Sequence, residues 1–245
     1  MRPFFMKGLQ KSLKLAMLGK SDNSSFVHKA GTGMATSPRS RNTLTLYSAK
    51  NCVVCHKVRL VLAAKGITYD LIPVDTTNPP EDLLLLAPHY HSVPTLVERD
   101  TAIYISNVIA EYLDERYPHP ALMPAEPIFR AMHRIAIRQV EQDWVPQVQA
   151  IQTNAKHADA ARKRLKELIL ESLPFFKSNK FFFGSEMSLV DCAITPIIWR
   201  LPALGVQLPK DAKCVEDYGL RIFRNPAFTR SMTAEEKSLR DLALA

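Results

Sequence analysis

Two kinds of hydrophobic pattern divide this chain. Between residues 43 and 117, short alternating stretches typical of strands are interspersed with stretches whose apolar residues recur at helical spacing. The predicted strands are residues 43–47, 68–74, 93–98 and 102–105, and the predicted helices are residues 55–65, 79–86 and 106–117. Ser106 is expected to cap the helix that it opens. This order of elements predicts an α/β domain with a small mixed sheet over residues 43–117.

Beyond residue 124 the pattern is helical throughout. Long amphipathic stretches dominate, glycine is scarce and alternating strand patterns are absent. Residues 118–124 separate the two regions and contain three prolines in seven positions, which is incompatible with a helix. The sequence therefore predicts a linker at 118–124 and an all-helical domain over residues 125–245.

The charge of the chain is concentrated at one end. The 245 residues carry a formal net charge of +8, but eight of the 32 Lys and Arg residues lie in residues 1–43 with a single acid, Asp22. That segment carries +7 and the remainder +1, so we expect no direct contact with nucleic acid. Residues 1–42 are interpreted as a disordered head, or as the product of a start codon assigned upstream of a true start at Met34. Both interpretations are preferred to an organellar presequence.

The four cysteines are too few and too unevenly spaced for a disulfide framework. No convincing secretory signal is present, and no apolar run approaches the roughly 18 residues that span a bilayer. These features predict a cytoplasmic protein that makes no membrane contact.

Cys52 and Cys55 form the strongest chemical motif. They follow the first predicted strand at the start of the first predicted helix, where the helix N-terminus lowers the pKa of a thiol. A redox or nucleophilic thiol and a pair of small structural residues are equally compatible with this motif. No second Cys/His pair at ligand spacing accompanies it, so no metal is expected. The adjacent His56 is expected on the helix surface.

Two further motifs resemble parts of the glutathione transferases. Residues 92–96, Ser-Val-Pro-Thr-Leu, enter a predicted strand and resemble the cis-proline turn of the thioredoxin-like half of that family. The resemblance implies that Val93 and Pro94 occupy positions of the glutathione site. Ser188 and Asp191 form a capping box before an apolar run and resemble the core helix of the family's C-terminal domain.

Ile105 and Ser106 depart from the glutathione-binding pattern. Glutathione-binding relatives place an acid and then a serine here, and the acid pairs with the γ-glutamyl ammonium. Ile105 cannot accept a hydrogen bond or compensate a charge, so a buried ammonium would lose its partner. The resemblance therefore implies that Val93, Pro94, Ile105 and Ser106 are vestigial positions of a glutathione site, and no cofactor is expected.

The most specific resemblance is to the stringent starvation protein A family. It lies in several segments between residue 44 and about residue 230: 58–66, 78–83, 111–124, 141–144, 158–163 and 199–202. Membership would imply a thioredoxin-like domain followed by an all-helical glutathione transferase C-terminal domain, without transferase activity. The Cys-x-x-Cys motif and the basic head lie outside the family pattern.

The resemblance also implies a function. Proteins of this family act as dimers that associate with RNA polymerase holoenzyme and its sigma factor during stress or starvation. The implied contact surface is the linker segment Pro118, His119 and Pro120, together with Tyr117. The alternative is a glutathione-dependent thiol transferase or reductase that uses Cys52, with Cys55 as the resolving thiol.

Overall fold

The computed structural model describes residues 43–87, 90, 92–153 and 156–244, with side chains described up to residue 240. The predicted head, residues 1–42, lies outside the described residues. The first half of the described chain is built on a four-stranded mixed sheet in the order β2-β1-β3-β4. Its strands are β1 (Leu44–Ala49), β2 (Tyr69–Val74), β3 (Thr95–Glu98) and β4 (Thr101–Tyr104). β1 runs parallel to β2 and antiparallel to β3, and β3 pairs antiparallel with β4.

Strand β1 is buried on both faces, and its side chains alternate between two packing layers. Leu46 lies opposite Leu96 of β3, and both side chains join the main core. Tyr47 points to the other face, where it packs in a smaller cluster with Val97 and Leu83. A strand covered on both faces is expected at the centre of an α/β layer structure.

Three helices accompany the sheet. They are α1 (Val53–Ala64), α2 (Glu81–Leu86) and α3 (Ser106–Arg116). Gly66 follows α1 with a φ of +67°, which is a left-handed conformation typical of helix ends. α1 is unusual because residues on every side of it are buried, including the polar side chains of His56, Lys57 and Arg59. It packs against α3 from its own half and against helices from the second half, and it shares the main core with Leu44 and Leu46 of β1.

The rest of the described chain is helical. The α-helices are α4 (Pro127–Gln139), α5 (Val145–Thr153), α6 (Ala158–Glu171), α7 (Leu173–Ser178), α8 (Leu189–Arg200), α9 (Lys213–Phe223), α10 (Pro226–Ser231) and α11 (Ala234–Leu244). A π-helical turn, Val140–Trp144, joins α4 to α5. Pro146 lies two residues after Trp144 and has no N–H to donate to the carbonyl of Gln142, which accounts for the local break in the α-helical ladder.

Helix α8 is the centre of the helical half and packs directly on α1. Nearly all of its residues are buried. The predicted capping box is present: Asp191 accepts hydrogen bonds from the Ser188 backbone N–H at 2.8 Å and from its hydroxyl at 2.7 Å. Asp191 also accepts bonds from the Phe182 N–H at 2.8 Å and the Tyr218 hydroxyl at 2.7 Å. The same carboxylate thus starts α8 and holds α9 against it.

The predicted fold class is confirmed: a thioredoxin-like α/β half precedes an all-helical half, and one apolar core runs through both. Observed elements differ from the predicted ones by one or two residues at most ends. Two local predictions are wrong. Ser106 is the first helical residue of α3 and makes no capping bond, because Ile105 occupies the N-cap position with a φ of +68°. His56 is fully buried, because α1 is enclosed on the side where a surface was expected.

Candidate functional site

The predicted linker surface is exposed and firmly anchored. Helix α3 ends at Arg116, and the side chains of Pro118, His119 and Pro120 are exposed. Beneath them the buried ammonium of Lys65 donates hydrogen bonds to the carbonyl oxygens of Tyr117 at 2.7 Å and Pro120 at 2.5 Å. Two contacts to backbone carbonyls on either side of His119 fix the path of the segment without using its side chains.

Asp114 completes this anchor. Its carboxylate accepts the third Lys65 bond at 2.5 Å, which compensates the buried ammonium. The same carboxylate accepts bonds from the backbone N–H groups of Leu122 at 2.8 Å and Met123 at 3.1 Å. Downstream, the Leu122 carbonyl accepts a bond from the Leu189 N–H at the start of α8, at 2.9 Å. The exposed segment is thus held between two buried attachments, one on each half of the protein.

Sequence reasoning missed Lys65 and Asp114 as the anchors of the linker. They lie 49 residues apart, and each reads locally as a solvated charge near a helix end. The pairing depends on how α1 and α3 pack side by side, which no local pattern expresses.

The two cysteines occupy the other end of α1. Cys52 is the N-cap residue, and its Sγ accepts a hydrogen bond from the Cys55 backbone N–H at 3.4 Å. Cys52 is partly exposed, whereas Cys55 is fully buried in the small cluster that also contains Val93. The Val93–Pro94 peptide is cis, as the sequence motif predicted, and so is the His119–Pro120 peptide. A helix of 12 residues is about 18 Å long, so the thiols and the linker are well separated.

The electrostatic surroundings make the two thiols unequal. A hydrogen bond from the Cys55 thiol lowers the pKa of Cys52 to about 7, against the opposing effect of burial. The backbone N–H groups of Cys55 and Val54 and the charge of Arg59 lower it as well. Burial raises the pKa of Cys55 well above its ordinary value, and the neighbouring Cys52 adds to this effect. Cys52 is therefore the thiolate of the pair near neutral pH, and Cys55 holds its proton.

Ser106, one of the vestigial positions, is engaged within the protein. Its hydroxyl donates to Glu141 Oε1 at 2.6 Å and accepts a bond from Lys57 Nζ at 2.9 Å. Lys57 also contacts Glu141 at 2.7 Å and Asn107 Oδ1 at 2.5 Å. Burial lowers the pKa of Lys57, and the charge of Glu141 opposes that shift. This network joins α1, α3 and the π-helical turn, so it connects the two halves and occupies the Ser106 hydroxyl.

A second buried network surrounds the middle of α1. Glu236, from α11, accepts two hydrogen bonds from Arg59 Nη2, both at 2.6 Å, and one from Arg200 of α8. Arg59 also donates to the Ser231 carbonyl at 2.8 Å, and Arg200 donates to Asn51 Oδ1 at 2.9 Å. All three charged side chains are at most 1% exposed. One carboxylate therefore compensates two buried guanidinium groups, and the C-terminal helix supplies it.

His56 is the neutral member of this network. Its Nδ1 accepts a hydrogen bond from Arg200 Nη1 at 3.1 Å, so its Nε2 carries the proton and donates to Ser231 Oγ at 2.9 Å. Burial lowers the pKa of His56 well below its ordinary value, and the charges of Arg200 and Arg59 lower it further.

The sequence does contain one signal for this network, which was missed: Thr233 and Glu236 form a capping box that marks the start of α11.

Within the described ranges, no group of three or more His, Cys, Asp or Glu side chains is arranged to hold a metal ion. None of the helices in the described part of the chain combines the length and the apolar character that a bilayer span requires.

Comparison with known proteins assigns the family. Residues 51–116 match "Glutathione S-transferase, N-terminal domain" and residues 129–226 match "Glutathione S-transferase, C-terminal domain". The fold is similar to that of the glutathione-bound rice GST1 (OsGSTU1) structure, with a TM-score of 0.72, 21% identity and coverage of 83% of this chain and 97% of that one.

Two curated relatives carry the name "Stringent starvation protein A homolog". The protein from Pasteurella multocida is 41% identical over 212 residues, which cover 85% of this chain and 99% of the relative. The protein from Haemophilus influenzae is 40% identical over 211 residues, with the same two coverages. At this identity over nearly the whole of both relatives, the chain belongs to the stringent starvation protein A family, built on the glutathione transferase fold.

Proposed function

We propose that this chain is a non-enzymatic transcription regulator that associates in the cytoplasm with RNA polymerase holoenzyme and its sigma factor during stress or starvation. The name shared by the relatives supports the link to starvation. The observation that carries the proposed contact surface is the anchored linker. Pro118, His119 and Pro120 are exposed, whereas the carbonyls of Tyr117 and Pro120 are held by the buried Lys65.

An anchored segment is suited to binding a protein partner. Ordering a mobile loop on binding costs conformational entropy, and a segment already fixed in the free protein avoids most of that cost. Tyr117 adds a half-buried aromatic ring next to Arg116, whose guanidinium lies 5.2 Å from the ring centre. Aromatic side chains and arginine are enriched at energetically important positions of protein interfaces. The body of the chain carries a formal charge of only +1, which favours a protein over a nucleic acid as the direct partner.

The test is retention of purified RNA polymerase holoenzyme on the immobilised full chain. His119→Ala is expected to weaken binding about 5- to 30-fold, as for the loss of an interface residue worth about 1–2 kcal/mol. His157→Ala is the matched control, because His157 is also an exposed histidine but lies before α6 in the helical half. Equal binding by both variants and by the wild type would contradict the linker surface.

The proposed regulator is a homodimer. Helix α3 carries an exposed apolar face at Val108, which is 51% exposed; the proposed dimer contact is centred there and leaves Tyr104 and Ile105 accessible. Pairing by two-fold symmetry would remove such a face from water. Val108→Asp is expected to shift the mass measured by light scattering from dimer to monomer. Leu220→Asp changes another exposed apolar residue, on α9, which is 42% exposed, and is expected to leave the mass unchanged. A dimer that survives Val108→Asp would refute this face.

The glutathione-dependent alternative has weaker support. Ser106 donates its hydroxyl to Glu141 and accepts from Lys57, so it is engaged before any ligand arrives. Ile105 offers no charge to an ammonium group. These two positions favour a member without glutathione transferase activity.

A further inference from the structure

We propose that Cys52 and Cys55 form a thiol–disulfide exchange centre, in which Cys52 attacks a peptide disulfide flanked by apolar residues and Cys55 resolves the mixed disulfide. The exchange is a single stoichiometric event and not catalytic turnover, so it is compatible with a non-enzymatic regulator. It is independent of the proposed polymerase contact, which lies at the opposite end of α1. It rests on the geometry of the pair, on the difference between the two thiols and on the chemistry of the surface beside them.

The geometry places the two sulfurs within reach of each other. Cys52 caps α1 in an extended conformation, with φ −93° and ψ 120°, and Cys55 lies in the first helical turn. The Cys55 N–H points at Cys52 Sγ from 3.4 Å, and the Cys55 thiol is also placed to donate to a Cys52 thiolate. Side chains three residues apart on a helix have Cβ atoms about 5–6 Å apart, and a disulfide needs about 3.5–4.5 Å. Because the N-cap residue lies outside the helix proper, a small movement of Cys52 closes this gap.

Burial and charge give each thiol a different task. Cys52 is partly exposed, and its pKa is lowered to about 7 by the hydrogen bond from Cys55, so a large fraction is thiolate at neutral pH. A thiol whose pKa lies near the ambient pH is the most effective attacking group. Cys55 is fully buried with a raised pKa, so it is protected from external disulfides until one is held at Cys52.

The surface beside the pair is aromatic and apolar. The rings of Tyr90 and Tyr104 stack with their centres 4.7 Å apart. Cys52 and Ala102 both pack against the small cluster that contains Cys55, and Tyr104 lies two residues after Ala102 on the same face of β4. Burial raises the pKa of Tyr90, and the charges of Cys55 and Cys52 contribute to that shift. Ile105 follows Tyr104 and is 45% exposed. Stacked rings and an exposed isoleucine favour apolar peptide side chains over a small zwitterionic disulfide.

The reaction balances within the pair and the substrate. The Cys52 thiolate attacks one sulfur of the substrate disulfide, a bond forms between Cys52 and that sulfur, and the other substrate sulfur leaves as a thiolate that takes a proton from water. Cys55 then loses its proton to solvent and attacks Cys52 Sγ, which releases the second substrate thiol. The substrate disulfide is reduced by two electrons, and the two cysteine thiols are oxidised to one intramolecular disulfide.

The test follows the mass of the full chain after incubation with a synthetic symmetric peptide disulfide whose cysteines are flanked by phenylalanine. The wild type is expected to lose two hydrogens at the tryptic peptide that contains Cys52 and Cys55. Cys55→Ser is expected to stop at one peptide adduct on Cys52, and Cys52→Ser is expected to show neither product. Cys214→Ser removes the other partly exposed thiol and is expected to behave as the wild type at this peptide.

Three results would overturn the proposal. One is a wild type that accumulates the adduct without the internal disulfide, and another is a Cys52→Ser variant that still reacts at Cys55. The third is a reaction with oxidised glutathione that is as fast as with the apolar peptide, since the surface beside Cys52 would then not select its substrate. If a cysteine variant fails to fold, the dependence on pH of the alkylation rate of Cys52 in the wild type decides. The rate should reach half of its maximum at about pH 7. A midpoint near the ordinary thiol pKa of about 8.5 would refute the attacking role of Cys52.

Discussion

Replacing Glu236 with alanine is expected to be among the most damaging changes in the protein. The carboxylate compensates Arg59 and Arg200, which are both 1% exposed, and its loss would leave two guanidinium groups buried without a counter-charge. Removing one partner of a buried ion pair costs about 3–5 kcal/mol. The Thr233 N–H would also lose its acceptor at the start of α11, at 3.0 Å in the native protein. The expected loss in the free energy of unfolding is therefore at least about 3–5 kcal/mol.

The measurement is urea unfolding followed by tryptophan fluorescence. With a slope of about 2–3 kcal/mol per molar urea, Glu236→Ala should lower the midpoint by about 1–2.5 M. The adjacent Glu235 provides the control, because it is half exposed and pairs with the exposed Lys50 at 3.4 Å. Surface pairs of this kind contribute little, so Glu235→Ala is expected to leave the urea midpoint close to that of the wild type.

A second substitution distinguishes charge from packing. If unpaired charge is the cause, replacing Arg59 with methionine in the Glu236→Ala background should cost less than the same replacement in the wild type, because one buried guanidinium is removed. Strict additivity of the two changes would point to lost packing instead. Equal urea midpoints for Glu236→Ala and Glu235→Ala would refute the assignment of Glu236 as the shared counter-charge.

Three further predictions test other buried groups. The pKa of His56 is depressed in the folded state, so the stability that His56 contributes is present above its unfolded pKa of about 6.5 and is lost as the pH falls below that value. His56→Gln should therefore reduce the dependence of stability on pH by up to about 1.4 kcal/mol per pH unit, measured by urea midpoints between pH 7 and 5. Asp191→Ala removes the acceptor of four hydrogen bonds and should lower the free energy of unfolding by more than about 2 kcal/mol in the same assay, whereas Ser188→Ala should lower it by only about 1 kcal/mol. Equal losses would contradict the role of Asp191 in both starting α8 and holding α9 against it. Lys65→Met leaves the Asp114 carboxylate buried without its cation and frees the linker carbonyls, so hydrogen exchange at residues 119–123 should accelerate, and unchanged exchange would refute the anchor.

The order of elements could be predicted from the sequence because each element is coded locally. Each of three short segments specifies its own backbone conformation within a few residues: the alternating residues of β1, the proline-rich linker and the capping box before α8. The motifs that resemble the family added the thioredoxin-like and glutathione-transferase character of the two halves, which periodicity alone does not specify.

The buried polar networks could not be predicted in the same way. Arg59 and Glu236 are 177 residues apart, and Lys57 and Glu141 are 84 apart. Charged residues usually indicate solvent, and a periodic pattern with polar positions on one side predicts an exposed face. In α1 that inference is wrong for His56, Lys57 and Arg59, because helices from the second half cover the polar side and supply its partners. The cysteine pair shows the converse: its position at a helix start could be read directly, but the inequality of its two thiols depends on their burial in the folded protein.

The dependence of Arg59 on the last helix has a consequence for synthesis. The ribosome adds Arg59 long before it reaches Glu236, and at about 5–20 residues per second the 177 positions that separate the two take about 9–35 s. Throughout that interval Arg59 lacks the acid that allows it to be buried, and so does Arg200 once it is made. The α/β half therefore cannot settle into its final packing as it leaves the ribosome. A nascent chain that stalls or is cleaved before residue 236 would expose the inner face of α1 to quality-control proteases.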